Sequence, residues 1–475
     1  MREDVDRRGR TPIVKRLVAW AKSLDTLSRV GSGASRRMSG RSAILAGGIS
    51  AASTWAIYSV GSGRAFDYDS SVTMASFVVT PSPFDVFSRQ DVFNNHPLFS
   101  FGEHLIYTFT GLQSEVAMRV LPIVAGASAI GVLVGYLCWR VGFLPAVAGG
   151  LVLATNPMFV DETREVRGYS LVVLMVLLGS LFLINALRTQ STIHGVRLQV
   201  GYVVAAAVAI GTHLFAVLAI PGHFGALAGM RRLTWAWCLR LLAACVLGAL
   251  PYALLISSML AAEGGRKTFA PQFPLVLARD LLGGSPWTAI VLGVLVAVGV
   301  LQIRSKRVVG LAVLSMLVPL AIIWIVIQPA DLYSRFFLWL IPGVAMLIAL
   351  AIARRPILLL VVIGAGLFSS LTLIAPGYTA DSLANRVAGV IINAAAARGE
   401  TACVGGYSAE TLLIYTRRFL ALSTTSQLSQ CSFVVILEPN EPSHHFWLEA
   451  ASAMFPVRRI LPASTPGVLM MRPGA

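Results

Sequence analysis

Apolar positions in this chain neither alternate nor fall on one helical stripe; they fill long runs separated by short polar connectors. Runs near 42–60, 116–138, 143–160, 169–187, 198–211, 214–230, 238–260, 284–303, 309–328, 336–352 and 357–375 predict about eleven helices at membrane length. One further stretch, HPLFSFGEHLIYTFTG at 96–111, is apolar but short and holds Glu103 and His104. Counting it as a span would invert every connector after it. It is therefore read as an interfacial or re-entrant helix in a long first external loop, residues 61–115. The transmembrane unit is then 42–375. After it the pattern changes: TACVGGY, FVVILEP and GVLMMR read as strands, AETLLIYTRR and HHFWLEAASAMF as helices. The expected fold class is an all-α polytopic membrane protein with a small extracytoplasmic α/β domain at 376–475. The loop 262–284, with its Gly pair and prolines, suits either a lid or a long connector.

Composition agrees. Of 475 residues, 56% are hydrophobic and 13% charged, with a mean hydropathy of +0.74, against roughly 25% charged in ordinary soluble domains. The net charge of +16 reports orientation rather than a nucleic-acid partner. Connectors on one side carry Arg140, Arg188, Arg197, Arg231, Arg232, Arg304, Lys306, Arg307, Arg354 and Arg355 and no acid. That side is predicted to be cytosolic. The first 41 residues form a basic cytosolic tail without an evident cleavable signal; Ile13, Leu17, Trp20 and Leu24 suit a helix lying on a membrane surface, and the same stretch suits a disordered tail. Beyond this tail every Asp and Glu, from Asp67 to Glu449, falls on the external side.

The segment DETREVRGYS sets Asp161, Glu162, Arg164, Glu165 and Arg167 at the external mouth of the third and fourth helices. A solvated turn would explain one such cluster. Here the other external loops bring more ionisable groups to helix ends: Asp67 and Asp69 in FDYDSSVT, His96 in FNNHPLF, His213 in GTHLF, and Asp331, Tyr333 and Arg335 in ADLYSRFF. Ionisable residues that share a cavity near the bilayer are functional by default. No polar run continues through the helices below, which favours chemistry at the outer face over conduction. Structural roles compete for some of these residues: Asp69 before Ser70 and Ser71 suits a helix N-cap, His213 suits a backbone contact at a helix end, and Tyr169 and Tyr333 suit interfacial anchors. Cys138, Cys238 and Cys245 are expected as free thiols. Cys403 and Cys431 fall in the external region, where a disulfide between them can persist.

In order, these motifs resemble the GT-C superfamily of integral-membrane glycosyltransferases, in particular the family 39-like enzymes related to protein O-mannosyltransferases and the lipid A aminoarabinose transferase. Asp69 matches the acid after the first helix, with Ser70 where a Glu is usual. NNHPLF matches a His-Pro-Pro-Leu box lacking one Pro, and Arg119 in SEVAMRVLP matches the arginine entering the next helix. Glu165, Arg167, Tyr169, Ser170 and Leu171 match a Glu-x-Arg-x-Tyr-Ser-Leu box in full. Thr212 and His213 match a Thr-His step, and Arg335, Phe336, Phe337 and Pro342 an Arg-aromatic step leading to a Pro.

The resemblance implies transfer of a sugar from a polyprenyl-phosphate donor to a hydroxyl of a protein, lipid or cell-envelope glycan, at the outer face of the cytoplasmic (inner) membrane. It implies Asp69 as general base, with Asp67 as its rival. Arg167 and Arg335, then Arg119 and Arg164, become the donor-phosphate ligands. Glu165 would orient Arg167 or the sugar, and His96, His213, Tyr169 and Tyr333 complete the donor site. No cofactor is expected; a divalent metal stays open, although Ser70 removes one carboxylate that would hold it. The rival class is a lipid or lipid-linked sugar transporter or flippase without covalent chemistry, which would place its binding residues nearer the midplane.

Overall fold

The computed structural model describes residues 37–64, 66–88, 96–111, 114–189, 191–255, 272–302, 318–322, 333–375, 383–405, 420–421, 430–437, 457–460 and 468–472. The amphipathic reading of 13–24, most of the expected span 309–328, Asp331, residues 262–271 of the 262–284 loop and the two helices expected after 406 and 438 lie outside them.

The chain enters through α1 (Gly40–Ser59), capped by Ser39, whose Oγ accepts from the Ser42 N–H at 3.2 Å. The first external loop then forms α2 (Tyr68–Thr73), prolonged by a π turn at Met74–Val78, and α3 (Pro97–Thr110), the helix expected at 96–111. Next come α4 (Val120–Arg140), α5 (Phe143–Ala154), α6 (Pro157–Arg164), α7 (Tyr169–Ala186) and α8 (Thr192–Thr212). A 3-10 turn at Leu214–Leu218 leads to α9 (Ala219–Gly229), followed by α10 (Trp235–Ala249), α11 (Phe273–Leu281) and α12 (Pro286–Gln302). A second 3-10 turn, Ser334–Leu340, opens α13 (Ile341–Arg354), and α14 (Leu359–Ser369) closes the helical part.

Among the described residues, six helices are long and apolar enough to cross a membrane, and eight if each of two bent pairs is one span. Most of the expected span 309–328 lies outside the described residues, and other departures from the eleven have local causes. The expected span 143–160 breaks into α5 and α6 with a 62° bend, because Asn156 precedes Pro157 and a residue before proline avoids helical geometry. Its Oδ1 then caps α6 through the Phe159 N–H at 3.0 Å, while its Nδ2 donates to the Asp280 carbonyl at 2.9 Å. Between α11 and α12 the chain turns 76° through Gly283 and Gly284, whose φ values of 104° and 80° admit glycine readily. The span expected at 214–230 is divided between the 3-10 turn and the 11-residue α9.

Past residue 382, α15 (Leu383–Ala397) precedes a mixed sheet of β1 (Ala402–Gly405), β2 (Leu420–Ala421), β3 (Phe433–Leu437), β4 (Val457–Ile460) and β5 (Val468–Arg472), ordered β2-β1-β3-β5-β4. β1 pairs in parallel with β2 and β3, whereas β5 runs antiparallel to β3 and β4. β2 and β4 were not foreseen; both are short. A disulfide joins Cys403 on β1 to Cys431, just before β3.

α1 lies on α4 at backbone contact. A Cβ at Gly47 would stand 2.6 Å from the Gly131 carbonyl oxygen, and one at Gly131 would stand 2.7 Å from the Gly47 oxygen. Small residues permit such close approach where lipid, not water, is the alternative neighbour. Gly47→Ala is expected to destabilise the protein by about 1–3 kcal/mol through overpacking. Gly364→Ala on α14, with nothing within 4 Å of its added carbon, should instead stabilise by up to about 1 kcal/mol. Thermal unfolding in detergent reads both, and equal signs would contradict the packing.

Candidate active site

The site begins with a cap. Asp67, extended at its N-cap position, accepts the Ser70 N–H on Oδ1 at 2.9 Å and so starts α2. The capping role that suited Asp69 therefore belongs to Asp67, which leaves Asp69 in the first turn with its carboxylate projecting away. Ser70 ties the same turn to the acidic box, since its Oγ accepts the Val166 N–H at 3.0 Å. The residue that departs from the Glu of the resembled motif thus makes a cross-loop bond.

Asp69 meets two arginines. Its Oδ2 lies 2.8 Å from Nη2 of Arg167 and 2.9 Å from Nη1 of Arg335. Arg167 stands in the short connection between α6 and α7, and Arg335 in the 3-10 turn that opens α13. The Arg167 side chain is fully enclosed, whereas those of Asp69 and Arg335 are 16% and 24% exposed, so the group opens on the Arg335 side. Glu162, absent from the sequence-derived site, reaches Arg335 at 3.8 Å.

His96, immediately before α3, accepts from Nη1 of Arg167 on Nε2 at 3.2 Å. This close approach requires glycine at 168, where a Cβ would stand 3.1 Å from His96 Nδ1 and 2.5 Å from Thr212 Cγ2. Rings form the wall behind. His96 packs on Tyr169 at 4.8 Å and on His213 at 4.9 Å, His213 on Phe336 at 5.1 Å, and Phe336 on Phe215 at 4.7 Å between centroids. Arg335 lies over Tyr333 at 4.8 Å and Tyr169 at 5.9 Å. His213 also serves the backbone, accepting the Phe215 N–H on Nδ1 at 3.3 Å. Phe215 and Phe336 escaped assignment to the site because an aromatic beside a helix end is ordinarily core.

Arg119 and Arg164 lie elsewhere than the Asp69 pair. Arg119 donates to the carbonyls of Ser62, Arg64 and Arg164, and Arg164 to that of Val60 at 3.0 Å. Both guanidinium groups brace the first external loop against α4 and α6. Tyr333 is half exposed at the rim. Glu103 is buried on the inner face of α3, and neither carboxylate oxygen has a hydrogen-bond partner among the described residues. Burial pushes its carboxyl well above the usual range, which favours its neutral form.

Burial pushes His213 down to about 3, with Arg167 and Arg335 acting in the same direction. His96 is lowered well below its ordinary value by burial, and His213, Arg167 and Arg335 add to this. Both imidazoles are therefore neutral, and the positive charge of the site stays on the arginines. Asp67 and Glu165 hydrogen-bond each other and divide their roles. Burial raises Asp67, but the bonds from Ser70 and Glu165 and the charge of Arg119 outweigh it and hold Asp67 below the usual range. Burial, then Asp67 and Glu162, push Glu165 well above it. Glu165 carries the shared proton. Among the described residues no three His, Cys, Asp or Glu side chains converge on one point.

The proton on Glu165 has a signature in stability. The unfolded chain loses it above about pH 4.3, while the folded chain keeps it. The stabilisation is therefore complete below that value and declines as pH rises through the folded-state value. Glu165→Gln should flatten this decline, so its unfolding temperature gains on wild type progressively from pH 5 to pH 8. Parallel curves would contradict the shared proton.

No family model matches the chain, and no curated protein does. Solved structures do. ArnT from Cupriavidus metallidurans bound to undecaprenyl phosphate superposes with a TM-score of 0.61 at 13% identity, covering 90% of this chain and 97% of that one. The same protein in the apo state gives 0.58 at 14% identity, over 89% and 96%. Identity this low carries the architecture alone: this chain shares the polytopic helical fold of ArnT.

Proposed function

We propose that this protein is a glycosyltransferase that moves a sugar from a polyprenyl-phosphate donor to an acceptor hydroxyl at the outer face of the cytoplasmic membrane. The reading rests on one observation above all: a single carboxylate held by two arginines, open on one side, at the mouth of a bundle of apolar helices. The donor class is supported by the fold shared with ArnT, which was solved with undecaprenyl phosphate. The outward placement is supported by the acid-free, arginine-bearing connectors at the other end.

A lipid phosphate diester carries its charge at the interface and its tail in the bilayer. Arriving from the Arg335 side, it competes with Asp69 for the same two guanidinium forks, whose planar geometry suits phosphate oxygens. Its binding releases the Asp69 carboxylate, which then accepts the proton of the acceptor hydroxyl. The acceptor oxygen bonds to the anomeric carbon as that carbon's bond to the phosphate oxygen breaks. Both electrons of the broken bond remain with the phosphate, which leaves as a monoester dianion. Arg167 and Arg335 meet that added charge. His96 steadies Arg167, and Tyr169, Phe336 and Tyr333 offer ring faces for the sugar. Asp67 and Glu165 hold the α2 turn that aims Asp69, a positioning role.

Membranes containing wild-type protein should transfer radiolabel from at least one of a panel of polyprenyl monophosphate sugars, and the successful donor identifies the sugar. Asp69→Asn should lower transfer by about 10²–10⁴-fold. Arg335→Lys replaces a fork with a point charge and should lower it at least roughly tenfold. Lipid movement across the bilayer that is unchanged in Asp69→Asn, without transfer from any donor, would replace this reading with transport.

A further inference from the structure

Along their glycine contact, α1 and α4 leave a groove of about 650 Å³, lined by Ile44, Gly48, Ala51, Val132, Tyr136 and Trp139 among others. It faces outward, with Ile44 76% and Trp139 41% exposed. The groove runs along α4 from Ser128 to Trp139, about 17 Å at 1.5 Å per residue. That is close to the depth of one leaflet of a hydrocarbon core about 30 Å thick. At its end stands Arg140, the last residue of α4. Its guanidinium lies 3.6 Å from the centre of the Trp139 ring, and Nη2 donates to Asn185 Oδ1 at 2.9 Å. Its Nε is buried without a hydrogen-bond partner, and no carboxylate pairs with it among the described residues. The connectors at this level are basic and acid-free. α4 begins beside Arg119 at the Asp69 end, so the groove occupies the opposite leaflet.

We propose that this groove is a binding site for an anionic phospholipid, with one acyl chain between α1 and α4 and the headgroup phosphodiester on Arg140. The length, the apolar lining and a fixed cation at the interfacial end match the three parts of that ligand. A second copy of the chain fits poorly. A helix is about 10–12 Å across with its side chains, too broad for a notch between two touching helices. A two-fold contact would also set Arg140 and Arg41 against their own copies.

Gly48 lines the groove, and an added Cβ there meets nothing within 4 Å. Gly48→Leu therefore fills the groove without prying α1 from α4. The test is native mass spectrometry of the full chain with phosphatidylglycerol and with phosphatidylcholine. Wild type is expected to bind phosphatidylglycerol saturably and at least about tenfold more tightly than phosphatidylcholine. Gly48→Leu and Arg140→Gln are each expected to lose about tenfold in that affinity, which is about 1.4 kcal/mol. The lipid-free unfolding temperature of Gly48→Leu should equal wild type or exceed it slightly, as for Gly364→Ala. Equal binding of the two lipids, or undiminished phosphatidylglycerol binding by Gly48→Leu, would overturn the proposal. So would conversion of a wild-type dimer to monomer by Gly48→Leu, which would assign the groove to a second copy. Should Arg140→Gln fail to fold, Gly48→Leu alone decides.

Discussion

Asp69 shares one oxygen between Arg167 and Arg335, and most of the local structure serves to hold those three groups together. They come from positions separated by about a hundred residues or more, on three different elements. An ionised carboxylate drawn partly out of water needs fixed cations beside it, and an enclosed guanidinium needs its anion. The break at Asn156–Pro157 turns α6 aside from α5 and so delivers Arg167. The bond from Val166 to Ser70 docks α2 beside it, and glycine at 168 lets His96 close in behind. Apolar residues of similar volume would often be as stable in place of such a cluster. Its presence at the open end of the bundle is therefore better explained by use than by stability.

The use follows from competition. Under the proposed function, an anionic donor and the base want the same two cations, so the resting site would keep Asp69 occupied until a phosphate takes its place. Neutral His96 and His213 leave the arginines as the local cations, while the proton on Glu165 prevents a third carboxylate from competing for them. On the same proposal, the enclosed Arg167 and the more exposed Arg335 would give the exchange a direction, with the lipid entering on the Arg335 side.

Much of the fold was legible because membrane helices announce themselves by length and apolar content, and the arginine-bearing connectors gave a consistent order. The breaks were harder. Asn156–Pro157 carries a recognisable signal, yet a long apolar run overrode it, and the Gly283–Gly284 bend fell at the end of a segment that suited either a lid or a long connector. The short strands β2 and β4 are too brief for alternation to reveal. At the site, the acid and arginine box and the two histidines drew notice because charges near a bilayer need a reason. Which of Asp67 and Asp69 caps the helix was not legible, since both precede serines at suitable spacing. The bracing roles of Arg119 and Arg164 were hidden for a related reason: their partners are backbone carbonyls, which leave no mark in a sequence. Glu162 and Phe336 stood in recognised boxes without a site role; the contact of Glu162 with Arg335 and the packing of Phe336 on Phe215 appear only when distant loops are brought together.

The central claim is that donor phosphate and Asp69 compete for Arg167 and Arg335. The most direct measurement is the affinity of purified wild type and Asp69→Asn for a polyprenyl phosphate without sugar, by scintillation proximity or calorimetry. Competition predicts tighter binding in Asp69→Asn, because its arginines are no longer held by a charged rival. Weaker or equal binding would contradict the account, since it would mean that the two anions do not share a site.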